Sequence, residues 1–584
     1  MHKTSSPYLK ELFKGEINWM PFNIKTLKHA QKSDKIIYIH IGHIANIKER
    51  ECAYNLFRDK RVIDIINNNF IPIAIDMEDV PEAMLIGMDL LIISEQHYTI
   101  PINIFSLPGA KPFTSFSNIT PEEFINLSNN IIYSFKEKRE LLNKAGGYVA
   151  NRLKGTGIVL KKEKPYPITD KLLHAYVRSW MTRYVDNQRE CRKSPYTINS
   201  RYYIFLLKYA NSYKKCEEMS FIYNALDKLY HSAMFDPIDG GIFSQAVNIS
   251  FTEPLYEKQF SENIQAAVLY SFAYKYSKKN IYKEAAIRII DFIENNLKCE
   301  KGGYSTSISL KGNINECSYY KCSMEEIMKI SSGNYLQIAS ALGMECSKPT
   351  VEQQIIQNTP LYTTLPEDIK GTLRKIREKK SKELIKDNRV ITAYNCMYAT
   401  SLCLIANNIK SKRSTYISIA ERIIEHIINN QKADKIKLYR YISSNKSEHQ
   451  SAQLLDYTFF LNAVLNAYKH TKKGIYDKLI SKYTAYILLN YYQSHNGMFS
   501  KTHRTENITP FKRESVIDYV RYSANSIMAR NLLILYKIRK DEFYLEAFKQ
   551  QLYNVAPQII GTGPLMVGWA LQILNYLSDK SDYD

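Results

Sequence analysis

Nine cysteines in 584 residues could support thiol–disulfide exchange or a structural zinc, and their spacing argues against both. Exchange needs an attacking thiolate and a second thiol to resolve the mixed disulfide, and a structural zinc needs about four converging Cys or His donors. No C-x-x-C pair occurs, and no cysteine spacing repeats. Cys317 and Cys322 come nearest, without a Cys or His partner at finger-like spacing, so neither a metal site nor a cofactor is expected. The 45 tyrosines are a second unusual feature. An apolar ring with a polar tip suits sugar-binding clefts and interfaces, and it equally suits half-buried packing, which is the reading adopted for most of them. Lys and Arg number 79 against 58 Asp and Glu, a net charge of +21 that attracts polyanions over a distance. The densest basic run, Arg374, Lys375, Arg377, Lys379, Lys380 and Lys382, is broken by Glu378 and Glu383 and has no aromatic residue for base stacking. It reads as a solvated helix face, and no nucleic-acid partner is expected.

Side chains like these act only where secondary structure holds them. The run KIIYIHIG at Lys35 to Gly42 is β-branched and apolar, as a buried strand should be, and a helix-compatible stretch follows from about Lys48 to Asn68. A second strand is expected at Phe70 to Asp76, a helix at Pro81 to Ile93, and strands at Pro101 to Leu107 and Lys111 to Phe116. The order β-α-β-α-β-β, closed by a helix after Thr120-Pro121, is a compact α/β domain over residues 1–145. Residues 146–169, with Gly146, Gly147, Gly155, Gly157, Pro165 and Pro167, break the periodicity and read as a linker.

From residue 170 to 584 almost everything is helical, and a short pattern recurs between helices. It appears as Gly240-Gly241-Ile242-Phe243-Ser244, as Gly302-Gly303-Tyr304-Ser305, and as Asn496-Gly497-Met498-Phe499-Ser500. Helical hairpins of similar design but uneven length predict a closed toroid with a funnel where long loops meet, in preference to an open solenoid. No segment approaches the about 20 apolar residues of a membrane span, and the N-terminus lacks an apolar signal core, so a cytoplasmic location is expected.

Particular motifs add a resemblance. Ser6-Pro7-Tyr8-Leu9 followed by Asn18-Trp19-Met20-Pro21, then IHIGHIANIKERECAYNLF and IPINIFSLPGAKPF, resemble the family of thioredoxin-like proteins fused to an (α/α)6 toroid. That family includes the spermatogenesis-associated thioredoxin-like protein and its bacterial relatives. In it the corresponding stretches read SPYLxxH…VDWxPW, SIGYSTCHWCHVMEHESF and WPLNVFLTPDGKPF. The likeness continues through DPIDGGIFS, EPLYEKQFSEN, DNRVITAYN, LLDYTFFL and DYVRYSANS. It implies a thioredoxin-like α/β domain followed by a mainly α, six-hairpin glycosidase-like toroid, with an association with carbohydrate metabolism.

The departures bear on function. Where the family has its C-H-W-C-H motif, this chain places Asn46 and Glu49 at the two cysteines and Arg50 at the following histidine. Thiol-disulfide oxidoreductase activity is therefore expected to be absent. Cys52, about a turn beyond, reads as a packed cysteine. Pro101 stands where the family has its cis-proline, so Asn46, Glu49, Arg50 and Pro101 outline the former redox loop and a possible peptide-binding groove. In the toroid the family's acidic segment after a glycine pair becomes GGYSTSISLKG, with Ser307, Ile308 and Leu310 at three acidic positions, and Leu255 replaces a histidine. Glycoside cleavage and epimerisation each need two proton-transfer groups, and these losses put both in doubt.

The residues that survive on matching motifs are Glu257, Lys258, Glu262, Asp387, Asn395, Asp456, Tyr457, Arg513, Asp518 and Asn525. They are the candidate toroid ligand site, and Glu257, Asp387, Asp456 and Asp518 are expected to converge on one funnel. The preferred reading is a non-catalytic binding protein for a small, carbohydrate-like polar ligand. The alternatives are a carbohydrate-modifying enzyme using the surviving carboxylates, and a protein-interaction scaffold with a basic surface.

Overall fold

The computed structural model describes residues 4–578 apart from 46, 95–99, 157–158, 191–195, 313, 315–316, 332, 346–350, 443–448, 501–513, 515 and 520. Two compact units divide between residues 158 and 159, the second holding most of the chain from Val159 onward.

In the first unit α1 (Pro7–Leu12) and α2 (Ile24–Ser33) precede β1 (Ile36–Gly42), α3 (Ile47–Leu56), α4 (Lys60–Asn69), β2 (Phe70–Asp76), α5 (Pro81–Ile93), β3 (Ile102–Ser106), β4 (Pro112–Phe116), α6 (Pro121–Glu137) and α7 (Arg139–Thr156). The sheet order is β2-β1-β3-β4, with β1 parallel to β2 and antiparallel to β3, and β3 antiparallel to β4. Helices on both faces of such a sheet explain why β1 and β2 are almost wholly apolar instead of alternating. The stretch expected as one helix from Lys48 to Asn68 is two, because Asp59 caps α4 by accepting from Arg61 N–H at 2.9 Å. The first half of the expected linker is also helical, as the end of α7. Gly146 there serves close packing: an added Cβ would lie 2.9 Å from Leu107 Cδ1.

The second unit is a ring of hairpins. Its helices are α8 (Asp170–Glu190), α9 (Ser200–Ser212), α10 (Cys216–Tyr230), α11 (Phe260–Ser277), α12 (Asn280–Phe292), α13 (Met324–Ile330), α14 (Tyr335–Ala341), α15 (Glu367–Lys379), α16 (Thr392–Asn408), α17 (Arg413–Asn430), α18 (Leu454–Thr471), α19 (Gly474–Tyr491), α20 (Ala524–Arg539), α21 (Glu542–Thr562) and α22 (Val567–Leu577). A helix apolar all round belongs inside, and an amphipathic one faces solvent on one side. The charge-free α16 is buried along almost its whole length, whereas its neighbour α17 buries one stripe, Tyr416, Ile419, Ala420, Ile423, Ile424 and Ile427. The inner helices α9, α11, α16, α18, α20 and α22 pack in that order, and α22 returns to α9. Their outer partners are α10, α12, α17, α19 and α21, with α8, the first helix of the unit, pairing the last inner helix α22. The fold is thus a thioredoxin-like unit followed by a closed (α/α)6 toroid.

β5 (Lys258–Gln259), just before α11, joins β6 (Ser307–Leu310) and β9 (Leu384–Asp387), between α11 and α16, in a three-stranded sheet, and the β6–β9 connection holds an insertion with α13, α14, α15 and the hairpin β7 (Lys321–Cys322)–β8 (Gln354–Ile355). The insertion has its own small core around Ile327, Ile338, Leu342 and Leu373. The basic run in α15 is not wholly solvated: Arg377 turns inward and is buried, because Asp236 and Asp239 wait for it beneath the helix at 2.6 Å and 2.9 Å.

Candidate functional site

Around the former redox loop, Asn46 lies outside the described residues and Glu49 falls within α3. Arg50 is buried and donates from a guanidinium nitrogen to the Ile44 carbonyl at 2.6 Å, closing the loop on itself. The Ile100–Pro101 bond is cis, as the resemblance implied. Cys52 is exposed, not packed, because it falls on the solvent face of α3. Beneath the loop runs a buried polar chain that sequence reasoning missed. Tyr8 Oη lies 2.7 Å from His40 Nε2, His40 Nδ1 lies 2.7 Å from Asn103 Oδ1, and Tyr38 Oη donates to the same oxygen at 2.8 Å. Burial pulls the His40 pKa down to about 4, with the Asn103 hydrogen bond opposing.

In the toroid, three of the candidate residues prove to be latches. Each glycine-containing turn is clamped by a side chain near the start of the next inner helix. Asn395 Oδ1 accepts the Tyr304 N–H at 2.9 Å, and its amide donates to the Tyr304 carbonyl at 3.3 Å. Asn525 does the same for Phe499 at 2.8 and 2.9 Å, and Asn263, which sequence reasoning passed over, does it for Ile242 at 2.7 and 3.1 Å. At the start of α18 Tyr457 takes this part, its hydroxyl accepting the Leu438 N–H at 3.0 Å. The turns need glycine: Gly240 and Gly241 have φ of 75° and 73°, in the left-handed region, and a Cβ on Gly240 would lie 2.5 Å from the Arg288 carbonyl oxygen.

The four acids expected to converge do not. All are fully buried, each held in its own part of the ring, and none lines the central cavity. Asp387 is bound by Arg389 at 2.6 and 2.9 Å. Asp456 accepts from Gln453 N–H at 2.9 Å, Ala393 N–H at 3.1 Å and Arg440 at 3.3 Å. Burial raises its carboxyl pKa while Arg440 opposes. Asp518 joins two inner helices, accepting the N–H groups of Ser523 and Gly568, both at 2.6 Å, and burial pushes its pKa up to about 6 against the pull of Arg201. Glu257 lies in the segment before β5, where its carbonyl accepts the Ser244 N–H at 2.9 Å. Lys258 points away from any funnel, into a closed ionic cluster: its ammonium meets Asp236 at 2.6 Å and the Gly240 carbonyl at 2.7 Å, over the rings of Phe292 and Phe243. Arg513 lies outside the described residues. Asp456 and Asp518 each join neighbouring inner helices, whereas Asp387 is held by Arg389 two residues on.

Glu262 is the exception. It is half-buried one turn above Gln265 on α11, with Arg201 and Arg521 close enough to oppose the upward pKa shift that burial imposes. Arg201 donates to the carbonyls of Asp518 at 3.4 Å and Tyr519 at 3.1 Å, and the Arg521 guanidinium stacks 4.4 Å from the Tyr394 ring centroid. Below this mouth lies a narrow lumen of about 70 Å³, to which all six inner helices contribute. Its polar lining includes Lys208, Gln265, Thr400, Ser401, Asn462 and Arg530, with Phe272, Phe459 and Tyr522 among the rings. Neither set of lumen residues stood on a recognisable motif; inward placement at helical spacing was the available signal. Among the described residues no cluster of metal-ligating side chains occurs, and no helix is long and apolar enough to cross a membrane.

Residues 1–154 match the family model Thioredox_DsbH, described as "Protein of unknown function, DUF255". Over 622 aligned residues the chain is 21% identical to the uncharacterized protein B0495.5 of Caenorhabditis elegans, covering 96% of this chain and 83% of that protein. It is 20% identical to spermatogenesis-associated protein 20 of Rattus norvegicus, with 51% of this chain matched to 39% of that protein. Among solved structures, the chain resembles the GH76 α-mannanase BT2949 of Bacteroides thetaiotaomicron (TM-score 0.43, 12% identity, 70% of this chain and 96% of that one). It also resembles a cellobiose 2-epimerase of Bacillus thermoamylovorans (TM-score 0.40, 9% identity, 61% and 75%).

Proposed function

We propose that this chain is a non-redox binding protein whose toroid lumen takes a small, carbohydrate-like polar ligand, and that it acts in the cytoplasm. The observation that carries the reading is the lumen itself: a solvent-connected cavity to which all six inner helices contribute, its walls mostly apolar side chains and rings, with Gln265, Thr400, Ser401, Asn462 and Gln572 among them. Pockets of that composition orient polar ligands by a few hydrogen bonds while rings cover their apolar faces. Sugar chemistry would need two proton-transfer groups across the bond. The lumen lining has no carboxylate among the described residues, and the mouth offers Glu262 without an acidic partner beside it. Binding without turnover is what this set of groups supports.

The test is thermal unfolding of the full chain against sugars, nucleotides and peptides, since a ligand at about 100 times its Kd stabilises by about 2.7 kcal/mol. A sugar-like compound should raise the melting temperature, and Ser401→Phe, which fills the lumen, should abolish the rise. Stabilisation that is indifferent to Ser401→Phe, or no stabilisation by any compound, would overturn the assignment.

A further inference from the structure

A cavity larger than the lumen, about 400 Å³ against about 70 Å³, lies between the outer helix α12 and α15 of the insertion. Its charges are divided by wall. α12 presents Glu284 and Asp291 two turns apart on one face, with Arg288 between them, and α15 presents Lys370 and Arg374 one turn apart. Two further acids of the lining already have partners: Asp239 receives Arg377 at 2.9 Å, and Glu367 receives Lys370 at 2.9 Å. Arg288 is fixed by neutral acceptors, the Pro237 carbonyl at 2.7 Å, Asn358 Oδ1 at 2.9 Å and Tyr230 Oη at 3.2 Å. That leaves Glu284 and Asp291 on one wall and Arg374 on the other. All three are exposed, and among the described residues none makes a hydrogen bond or an ion pair. They share a field nonetheless: desolvation raises the Asp291 carboxyl pKa and Glu294 adds to the rise, while Lys412, Arg288 and Arg374 oppose it.

Opposite charges on facing helices would close on one another if the helices could approach. These cannot, because α15 is anchored one turn beyond Arg374, where buried Arg377 holds Asp236 at 2.6 Å. The cleft is therefore a preformed gap between an acidic and a basic wall, which spares a ligand the cost of opening it. α12 also runs on into a π-helical turn, Ile293–Leu297, a rare geometry that recurs at functional sites, and Asn295 of that turn lines the cleft.

We propose that this cleft binds a small zwitterion of the amino-acid or short-peptide class, its ammonium against Glu284 and Asp291 and its carboxylate against Arg374. The site is separate from the lumen and stands or falls without it. A zwitterion places a charge-assisted hydrogen bond on each wall at once. A simple cation or anion answers only one wall, and a polyol brings charge to neither.

Isothermal titration of the full chain with glycine and triglycine, each also in its N-acetylated and its C-amidated form, and with glucose, tests this. The tighter of the two free probes identifies amino acid or peptide, and it should bind at least about fivefold tighter than either of its capped forms. That margin should shrink as salt rises from about 50 to about 300 mM. Arg374→Gln should erase the penalty for amidation, and Arg374→Lys should keep it. Glu284→Gln and Asp291→Asn together should erase the penalty for acetylation. All three side chains are exposed, so these variants should melt within a degree or two of the unaltered protein. Capped forms that bind as tightly as the free probe, or glucose binding as tightly, would overturn the zwitterion. Penalties that survive the substitutions, or no binding of any probe, would overturn the cleft. Binding of the free probe that is lost in Ser401→Phe would place it in the lumen and would also overturn the cleft.

Discussion

Asn46 and Glu49 stand where the resemblance places the two sulfurs of thiol exchange, and an amide and a carboxylate supply neither. What keeps the neighbourhood folded owes nothing to redox chemistry. Ser6 caps α1 by accepting the Leu9 N–H at 3.1 Å and donates to Asp76 at 2.5 Å, and Tyr8 reaches His40. The Ser-Pro-Tyr-Leu motif was legible in sequence because its work is structural. Cys52 is exposed on α3, so its thiol is accessible, but no C-x-x-C partner stands beside it in the sequence to resolve the mixed disulfide it would form. In an insulin-reduction assay with dithiothreitol the protein should therefore turn over at background, and Cys52→Ser should change nothing. Turnover clearly above background that disappears in Cys52→Ser would show that this thiol has taken over the role.

Between elements, the recurring unit is a glycine turn gripped by the next inner helix. The turns were legible because glycine at positive φ leaves a mark in sequence. The grip was not, since Asn at a helix start reads equally as a cap or as a ligand group. The partner of Asn395 is Tyr304, 91 residues earlier, and no local pattern names it. The same blindness placed Asp387, Asp456 and Asp518 in a ligand site. Polar residues on shared motifs were read as converging on one funnel, when each acid has partners of its own, helix joints at Asp456 and Asp518 and Arg389 at Asp387. Asn525→Ala would strip partners from both the N–H and the carbonyl of buried Phe499, costing about 2–4 kcal/mol in chemical denaturation. Asn525→Asp keeps the acceptor and loses the donor, so it should fall between. A cost below about 1 kcal/mol for the alanine variant would mean that the turn holds without its latch.

Across the whole molecule, the two-part order was readable from periodicity, whereas the way the ring closes was not. The first toroid helix completes the last hairpin, and Tyr176 of α8 donates to the Gly563 carbonyl at 3.1 Å over a separation of 387 residues. The two units also carry buried titratable groups of opposite sense. His40 in the first is held neutral, its pKa depressed to about 4, so the unfolded chain takes up that proton first as pH falls. Stability from this group is full above its unfolded pKa of about 6.5 and drains away toward about pH 4, with roughly 2 kcal/mol gone by about pH 5. Asp518 in the toroid is raised to about 6, so the folded state binds that proton more tightly than the unfolded one does. Its contribution is largest below the ordinary carboxylate pKa and is lost as pH rises through about 6, which makes it a gain of roughly 1 kcal/mol on going from about pH 7 to about pH 5. Acidification over that interval should therefore loosen the first unit through His40 while Asp518 tightens the second. Hydrogen exchange on the full chain, corrected for intrinsic rates, should show protection falling in β1 and rising at the starts of α20 and α22. In Asp518→Asn the rise should vanish while the β1 response stays. Parallel changes in both units, or a rise that survives Asp518→Asn, would show that other groups govern the toroid's response.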